Sequence, residues 1–227
     1  MRAPVFGPLS TPLIPVSVVE AQAPAGGEFR VNDATASDLA VPRVAADPSG
    51  AFVVVWADDA NPAVFGRRFD PTGVPKGAEF RVNASPVSDG QRPDVAVDAT
   101  GRAMAVWSNA GATASTSANG LGVAAGVFGR PFDAIGRATG PEFSTTSTDA
   151  YETSLAATPS GFAVAWSTDT TSDYGGGIVG RRIGVAGNPL GPEFAINNDA
   201  TGFQYVPSVA AADSGAFVVA WASFDEG

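Results

Sequence analysis

The apolar and polar positions of this chain fall into a pattern that returns four times. A run with no polar side chain on either face, Phe52-Val53-Val54-Val55-Trp56, follows the segment Asp47-Pro48-Ser49-Gly50. Ala103-Met104-Ala105-Val106-Trp107 follows Asp98-Ala99-Thr100-Gly101 in the same way. Phe162-Ala163-Val164-Ala165-Trp166 follows Thr158-Pro159-Ser160-Gly161, and Phe217-Val218-Val219-Ala220-Trp221 follows a shortened turn, Asp213-Ser214-Gly215. An apolar run of this length between turn signals predicts a strand buried on both faces. A helix so short would not hold by itself. Asp-Pro-x-Gly suits a type I turn, with Pro at the second position and Gly at φ > 0 at the fourth. Such a turn joins antiparallel strands. The Trp closing each run is expected in the core.

Two further markers keep step with these strands. One is Glu28-Phe29-Arg30-Val31-Asn32, with copies at Glu79-Phe80-Arg81-Val82-Asn83, Glu142-Phe143 and Glu193-Phe194-Ala195-Ile196-Asn197. The other is Val64-Phe65-Gly66-Arg67-Arg68-Phe69, with copies at Val127-Phe128-Gly129-Arg130-Pro131-Phe132 and Ile178-Val179-Gly180-Arg181-Arg182-Ile183. From the Gly of that marker to the next Glu the step is always 13 residues. From Trp to the same Gly it is 10, 22 or 14, so one connection absorbs most of the length variation. Each repeat therefore predicts four strands: A near Pro42 to Ala46, B from Ala51 to Ala57, C from Ala63 to Phe69, D from Glu79 to Asn83. Short antiparallel strands in fours, repeated every 50 to 60 residues or so, are the signature of a β-propeller. The expected fold is all-β, a single β-propeller domain over residues 1–227. Its repeats run over about 28–78, 79–141, 142–192, and 193–227 together with 1–27. Val5-Phe6-Gly7 and Glu28 to Asn32 match strands C and D, so the N-terminal strands are expected to complete the last blade and close a four-bladed ring. A fragment of a larger propeller and a half-ring that dimerises are the competing arrangements.

The repeat resembles that of large exported bacterial proteins, in which a motif of the form V-x-G-R-R-F-D-x-x-G-x-P-x-G-x-E-F-x-V-N is joined to F-V-V-x-W strands. The likeness covers roughly residues 28 to 222 and is weakest in the third copy, where Ser144-Thr145-Thr146 replaces Arg-Val-Asn. The turn and strand also resemble the Asp-box hairpin of sialidase-type propellers, with one more residue between Asp47 and Gly50 than that box has. The resemblance implies a propeller fold and an extracellular or cell-surface setting. It implies no catalytic residues.

Composition narrows the chemistry. The chain of 227 residues carries 23 acidic and 13 basic side chains, a net charge of −10, which disfavours nucleic acid and anionic membranes as partners. It has no Cys and no His, which excludes disulfides, thiolate chemistry, His-ligated metals and Ser-His-Asp triads. No stretch is long and apolar enough for a transmembrane helix, so no membrane insertion is expected. Ala21-Gln22-Ala23 has the form of a signal-peptidase site, but the positive region is Arg2 alone and Pro24 would follow the cut.

The B–C and D–A loops hold the length variation and most of the polar side chains, and variable loops on a rigid scaffold are where binding usually sits. The candidate ligand-binding residues are Asp58, Asp59, Asn61, Asp169, Asp173, Tyr174, Asp199 and Tyr205. Carboxylates and amides bond sugar hydroxyls, and Tyr rings stack on the pyranose. Oxygen ligands of this kind also leave a weak possibility of Ca²⁺, with no cofactor as the expectation. Glu28, Glu79, Glu142 and Glu193 read as structural, paired with Arg67, Arg130 and Arg181. Asn83-Ala84-Ser85 matches a glycosylation sequon that reads as a chance match. The expected function is a non-enzymatic binding or scaffold module, meeting a protein or a glycan on the loop face, with a homo-oligomer as one option. The alternatives are a glycan-active hydrolase using loop carboxylates, and a purely structural subunit of a surface assembly.

Overall fold

The computed structural model describes residues 27–33, 38–60, 62–85, 87, 92–112, 123–146, 150–168, 176–198 and 202–224. The chain divides into two units, Met1–Arg30 and Val31–Gly227. In the first, the described residues 27–30 form no strand.

The second unit is all-β among its described residues. β1 (Leu39–Ala46), β2 (Phe52–Asp58), β3 (Ala63–Phe69) and β4 (Phe80–Arg81) form one sheet in that order. β5 (Pro93–Val97), β6 (Ala103–Ala112), β7 (Val123–Phe132) and β8 (Phe143–Thr146) form a second. β9 (Ala150–Thr158), β10 (Gly161–Thr168), β11 (Ile178–Ile183) and β12 (Phe194–Ala195) form a third. β13 (Phe203–Ala211) and β14 (Phe217–Phe224) pair as a fourth. Every pairing is antiparallel. The expected A, B, C and D strands are these elements, and strand C of the first repeat matches its expected span.

The turns work as their residues dictate. Gly50, Gly101 and Gly215 sit at φ of 85°, 83° and 82°. The Asp47 Oδ1 accepts the Ser49 N–H at 2.8 Å, and the Asp98 Oδ1 accepts that of Thr100 at 2.8 Å. The fourth turn differs from expectation. There the Gly215 N–H bonds to the Ala212 carbonyl at 2.9 Å, so Ala212 takes the place that Asp47 and Asp98 take elsewhere. Asp213 falls one position later, and its carboxylate is not used to close the turn.

Each sheet packs against the next along the chain, always in the same sense. Val53 and Val55 of β2 meet Val95, Ala105 and Trp107 of the second sheet. Met104 and Val106 of β6 meet Leu155, Val164 and Trp166 of the third. Each sheet thus has a forward face, turned to the next, and a backward face, turned to the previous one. Trp107 and Trp166 are at most 1% exposed, as expected, whereas Trp221 is 37% exposed.

The repeated markers turn out to be clamps between sheets. A Cβ on Gly129 would lie 2.5 Å from Phe143 Cζ, so the Gly makes room for the Phe of its own sheet. The same Phe143 reaches the turn of the following sheet, where a Cβ on Gly187 would lie 2.5 Å from its ring. Phe80 does likewise with Gly66 and Gly136. Beside each Phe, an Arg reaches backward. Arg130 donates to the Gly140 carbonyl of its own sheet and to the Val82 carbonyl of the previous one, at 3.4 and 3.2 Å. Arg181 bonds Gly191 and Thr145 in the same pattern, and Arg67 bonds Gly77 and Val31.

The expected Glu–Arg pairing is largely absent. Arg181 lies 3.7 Å from Glu193, but Arg67 pairs with Asp33 at 2.8 Å. Glu79 and Glu142 instead accept backbone N–H groups of Asp33 and Ser85. Asn83 is 1% exposed, and its Oδ1 takes the Val64 N–H at 2.8 Å. This Asn caps the start of strand C, as Asn197 does for Ile178, and that explains the sequon as a chance match. A closed four-bladed ring is not seen: no strand among the described residues pairs with the outer edge of β14.

Candidate functional site

The ends of the inner strands β1, β5, β9 and β13 bring four A–B turns around one cavity of about 570 Å³. Asp47 and Asp98 line it from the first two sheets and Asp213 from the fourth. Thr100, Thr158 and Arg102 complete its polar wall. A cavity of this volume is in the range that holds a small ligand.

The carboxylates differ in what surrounds them. Burial works to raise the Asp98 carboxyl, but hydrogen bonds from Thr100 and Arg102 outweigh it and hold the group below the usual carboxylate range. The Arg102 Nε lies 2.9 Å from Asp98 Oδ2. Asp47 is also held low, chiefly by its bond from the Ser49 hydroxyl. Asp213 receives no hydrogen bond on its carboxylate among the described residues.

A fourth acid, Asp94, lies on β5 and does not line the cavity. Its Oδ2 accepts the Leu155 N–H of the third sheet at 2.7 Å, and its Oδ1 accepts the Val95 N–H at 2.8 Å. Burial pushes its carboxyl up against these bonds. Ser154, one sheet on, does the same work by accepting the Val209 N–H at 3.0 Å. Both satisfy an inner-strand N–H of the neighbouring sheet. This points to a structural role for Asp94.

The loop residues singled out from the sequence are only partly described. Asn61, Asp169, Asp173, Tyr174 and Asp199 lie outside the described residues. Asp58 is 5% exposed and its Oδ1 accepts the Ala60 N–H at 3.1 Å, a local turn bond. Asp59 has a buried Oδ1 with no hydrogen-bond partner. Tyr205 stands 41% exposed on β13. The cavity carboxylates lie at the opposite ends of the inner strands, where tight turns had suggested structure alone. The signal available in the sequence was the Asp recurring in those turns. Among the described residues, no group of three or more acidic side chains is placed to hold a metal ion.

No family model and no curated protein sequence matches the chain. The solved structures similar to this chain include two of known chemistry. One is an alpha-L-arabinofuranosidase from Lactobacillus brevis, at 12% identity and a TM-score of 0.50, covering 82% of this chain and 63% of that one. The other is an alpha-L-arabinanase from Penicillium chrysogenum, solved with arabinobiose, at 17% identity and a TM-score of 0.49. It covers 89% of this chain and 57% of that one. The chain spans about three fifths of the length of these structures. What the first likeness shows is an all-β, propeller-like fold.

That likeness to a glycoside hydrolase also overturns two expectations, that the chain is a non-enzymatic binding or scaffold module and that it is not an enzyme. The physical fault lay in the argument from missing residues. Glycoside hydrolysis needs two carboxyl groups and no His or Cys. The carboxyls weighed from the sequence were those of the loops and the repeated Glu residues, whereas the A–B turns place three Asp on one cavity.

Proposed function

We propose that this chain is part of a glycan-active hydrolase and takes its substrate in the cavity framed by the A–B turns. The observation that carries the reading is the convergence of Asp47, Asp98 and Asp213, from three separate sheets, on one cavity of about 570 Å³. The fold likeness to an arabinofuranosidase supports the class of substrate, a pentose or hexose glycan with free hydroxyls. Thr100, Thr158 and Arg102 supply hydrogen-bonding groups for those hydroxyls.

The environments divide the labour. Asp98 and Asp47 stay ionised near neutral pH, and either suits a nucleophile, a base or a stabiliser of the oxocarbenium-like transition state. Asp213, unused by its turn, is the cavity carboxylate left open to the substrate. An extracellular or cell-surface setting belongs to the same proposal, since polymeric glycans are met there.

The test is hydrolysis of a panel of 4-nitrophenyl glycosides, α-L-arabinofuranoside included, and of polysaccharides followed by reducing-sugar release. The expected result is turnover of at least one substrate. Asp213→Asn and Asp98→Asn should each lower kcat about 100-fold or more while the variants remain folded. A folded protein with no turnover on any substrate, or variants as active as the parent, overturns the reading.

A further inference from the structure

Arg68 is a buried cation that leaves two guanidinium nitrogens unpaired. It lies on β3 opposite Val53 and so shares the forward face that the second sheet covers. It is 5% exposed, and its Nε and Nη2 have no hydrogen-bond partner. The neighbouring Arg67 turns the other way and spends its guanidinium on backbone carbonyls. A charge taken out of water costs free energy unless it is paired, so such a side chain needs a reason. The same position in the other sheets does not supply one. It is Pro131 in the second sheet. In the third it is Arg182, which is exposed and stacks 5.0 Å from the Phe217 ring of the fourth. Arg68 has no such ring to lie on, because the second sheet carries Ala103 where the fourth carries Phe217.

What faces Arg68 is acid. Burial pushes its pKa down, and the charges working against that are Asp133, Asp47 and Asp98. They belong to three turns of the first two sheets. These turns lie against one another: a Cβ on Gly101 would be 3.4 Å from Asp47 Oδ2 and 3.2 Å from Ala134 Cβ. Asp47 and Asp98 also line the cavity, whereas Arg68 does not. The guanidinium therefore stands behind the cavity wall. Two other cations face this pair of carboxylates. Lys76 acts on Asp47 from an exposed position, and Arg102, its side chain 49% exposed, bonds Asp98. Solvent and salt screen an exposed charge far more than a buried one.

We propose that Arg68 is a positioning residue of the cavity, its buried charge backing the Asp47 and Asp98 carboxylates from between the first two sheets. The two carboxylates are like charges in one wall, and Arg68 offsets their repulsion without taking up substrate space. A guanidinium does not give up its proton in a protein, so this charge is fixed. The consequence for catalysis rests on the hydrolase reading; the effect on the carboxylates does not.

The test titrates the Asp carboxyl carbons by NMR in the full chain and in Arg68→Met, Arg68→Gln and Arg68→Lys, with circular dichroism to check the fold. Two uncharged variants guard against one that fails to fold. In each of them the Asp47 and Asp98 midpoints should move to higher pH, because the ionised forms lose an attraction. Arg68→Lys keeps the charge and should bring them back towards the wild type. Asp70, bonded within its own turn, is the reference and should not move. With a glycoside that the protein hydrolyses, the acid limb of kcat/KM should move up in the uncharged variants and return in Arg68→Lys. Midpoints that stay put in both uncharged variants overturn the proposal and leave Arg68 to packing alone. Moved midpoints in a protein that hydrolyses no glycoside uphold it and strike the hydrolase reading instead.

Discussion

At the scale of single residues, the repeated letters mark places where one atom more would not fit or one charge is held. Gly129 is the sharpest case. A methyl group there would lie 2.5 Å from Phe143 Cζ, and that ring is itself wedged against Gly187. Gly129→Ala should destabilise by about 1–3 kcal/mol, measured by urea denaturation. A variant as stable as the parent would mean that the Phe has room to move. Asp98 gives a pH prediction. Its folded carboxyl is held below the ordinary value, so its contribution is present above the unfolded pKa of about 3.9 and is lost as pH falls through the folded value. Melting curves from pH 7 to pH 2 should show a shallower acid limb in Asp98→Asn than in the wild type. An identical limb in both would show that other groups govern acid unfolding. The role of Gly66, Gly129 and Gly180 was not legible in the sequence, because the partner Phe sits 14 residues away in the chain. Asp213 was misread for a different reason. The turn read as shortened is full length, and Ala212 stands where Asp47 and Asp98 stand in theirs.

At the scale of elements, burial on both faces separates the middle strands from the last one. Trp166 is 0% exposed on β10, between two sheets, while Trp221 is 37% exposed on β14. Trp166→Ala should cost about 3–5 kcal/mol and Trp221→Ala clearly less, as read from denaturation midpoints. Equal losses at both sites would show that Trp221 is as enclosed in solution as Trp166. The strands themselves were legible because Phe-Val-Val-Val-Trp and its copies leave little choice of structure. The four-strand sheets followed from the fixed steps between markers. The partners of Arg67 and Arg130 were not legible, since backbone carbonyls leave no trace in side-chain patterns. The expectation of Glu partners rested on charge alone. The site was hidden in the same way: the turn Asp residues looked fully occupied by their turns, and only the packing of four turns together gives them a shared cavity.

At the scale of the whole molecule, the sheets contribute one turn each to the cavity, so Asp47, Asp98 and Asp213 belong to different sheets although they face one space. Whatever shifts one sheet against the next alters the site without touching a carboxylate. In the proposed hydrolase, the Arg and Phe clamps would thereby govern the spacing of the cavity carboxylates as well as stability. The order of the packing has a further consequence. The strand packing joins each sheet to its neighbours in the chain, β5 to β1 and β9, and β9 to β13. Such a chain behaves as a one-dimensional series, its stability a sum of repeat and nearest-neighbour terms. Folding can start at any junction and spread both ways. Unfolding under load or denaturant should begin with β13 and β14, which are held from one side, and move inward one repeat at a time. An extra repeat spliced between two existing ones would enter as one more link, widening the cavity while leaving every existing junction chemically the same.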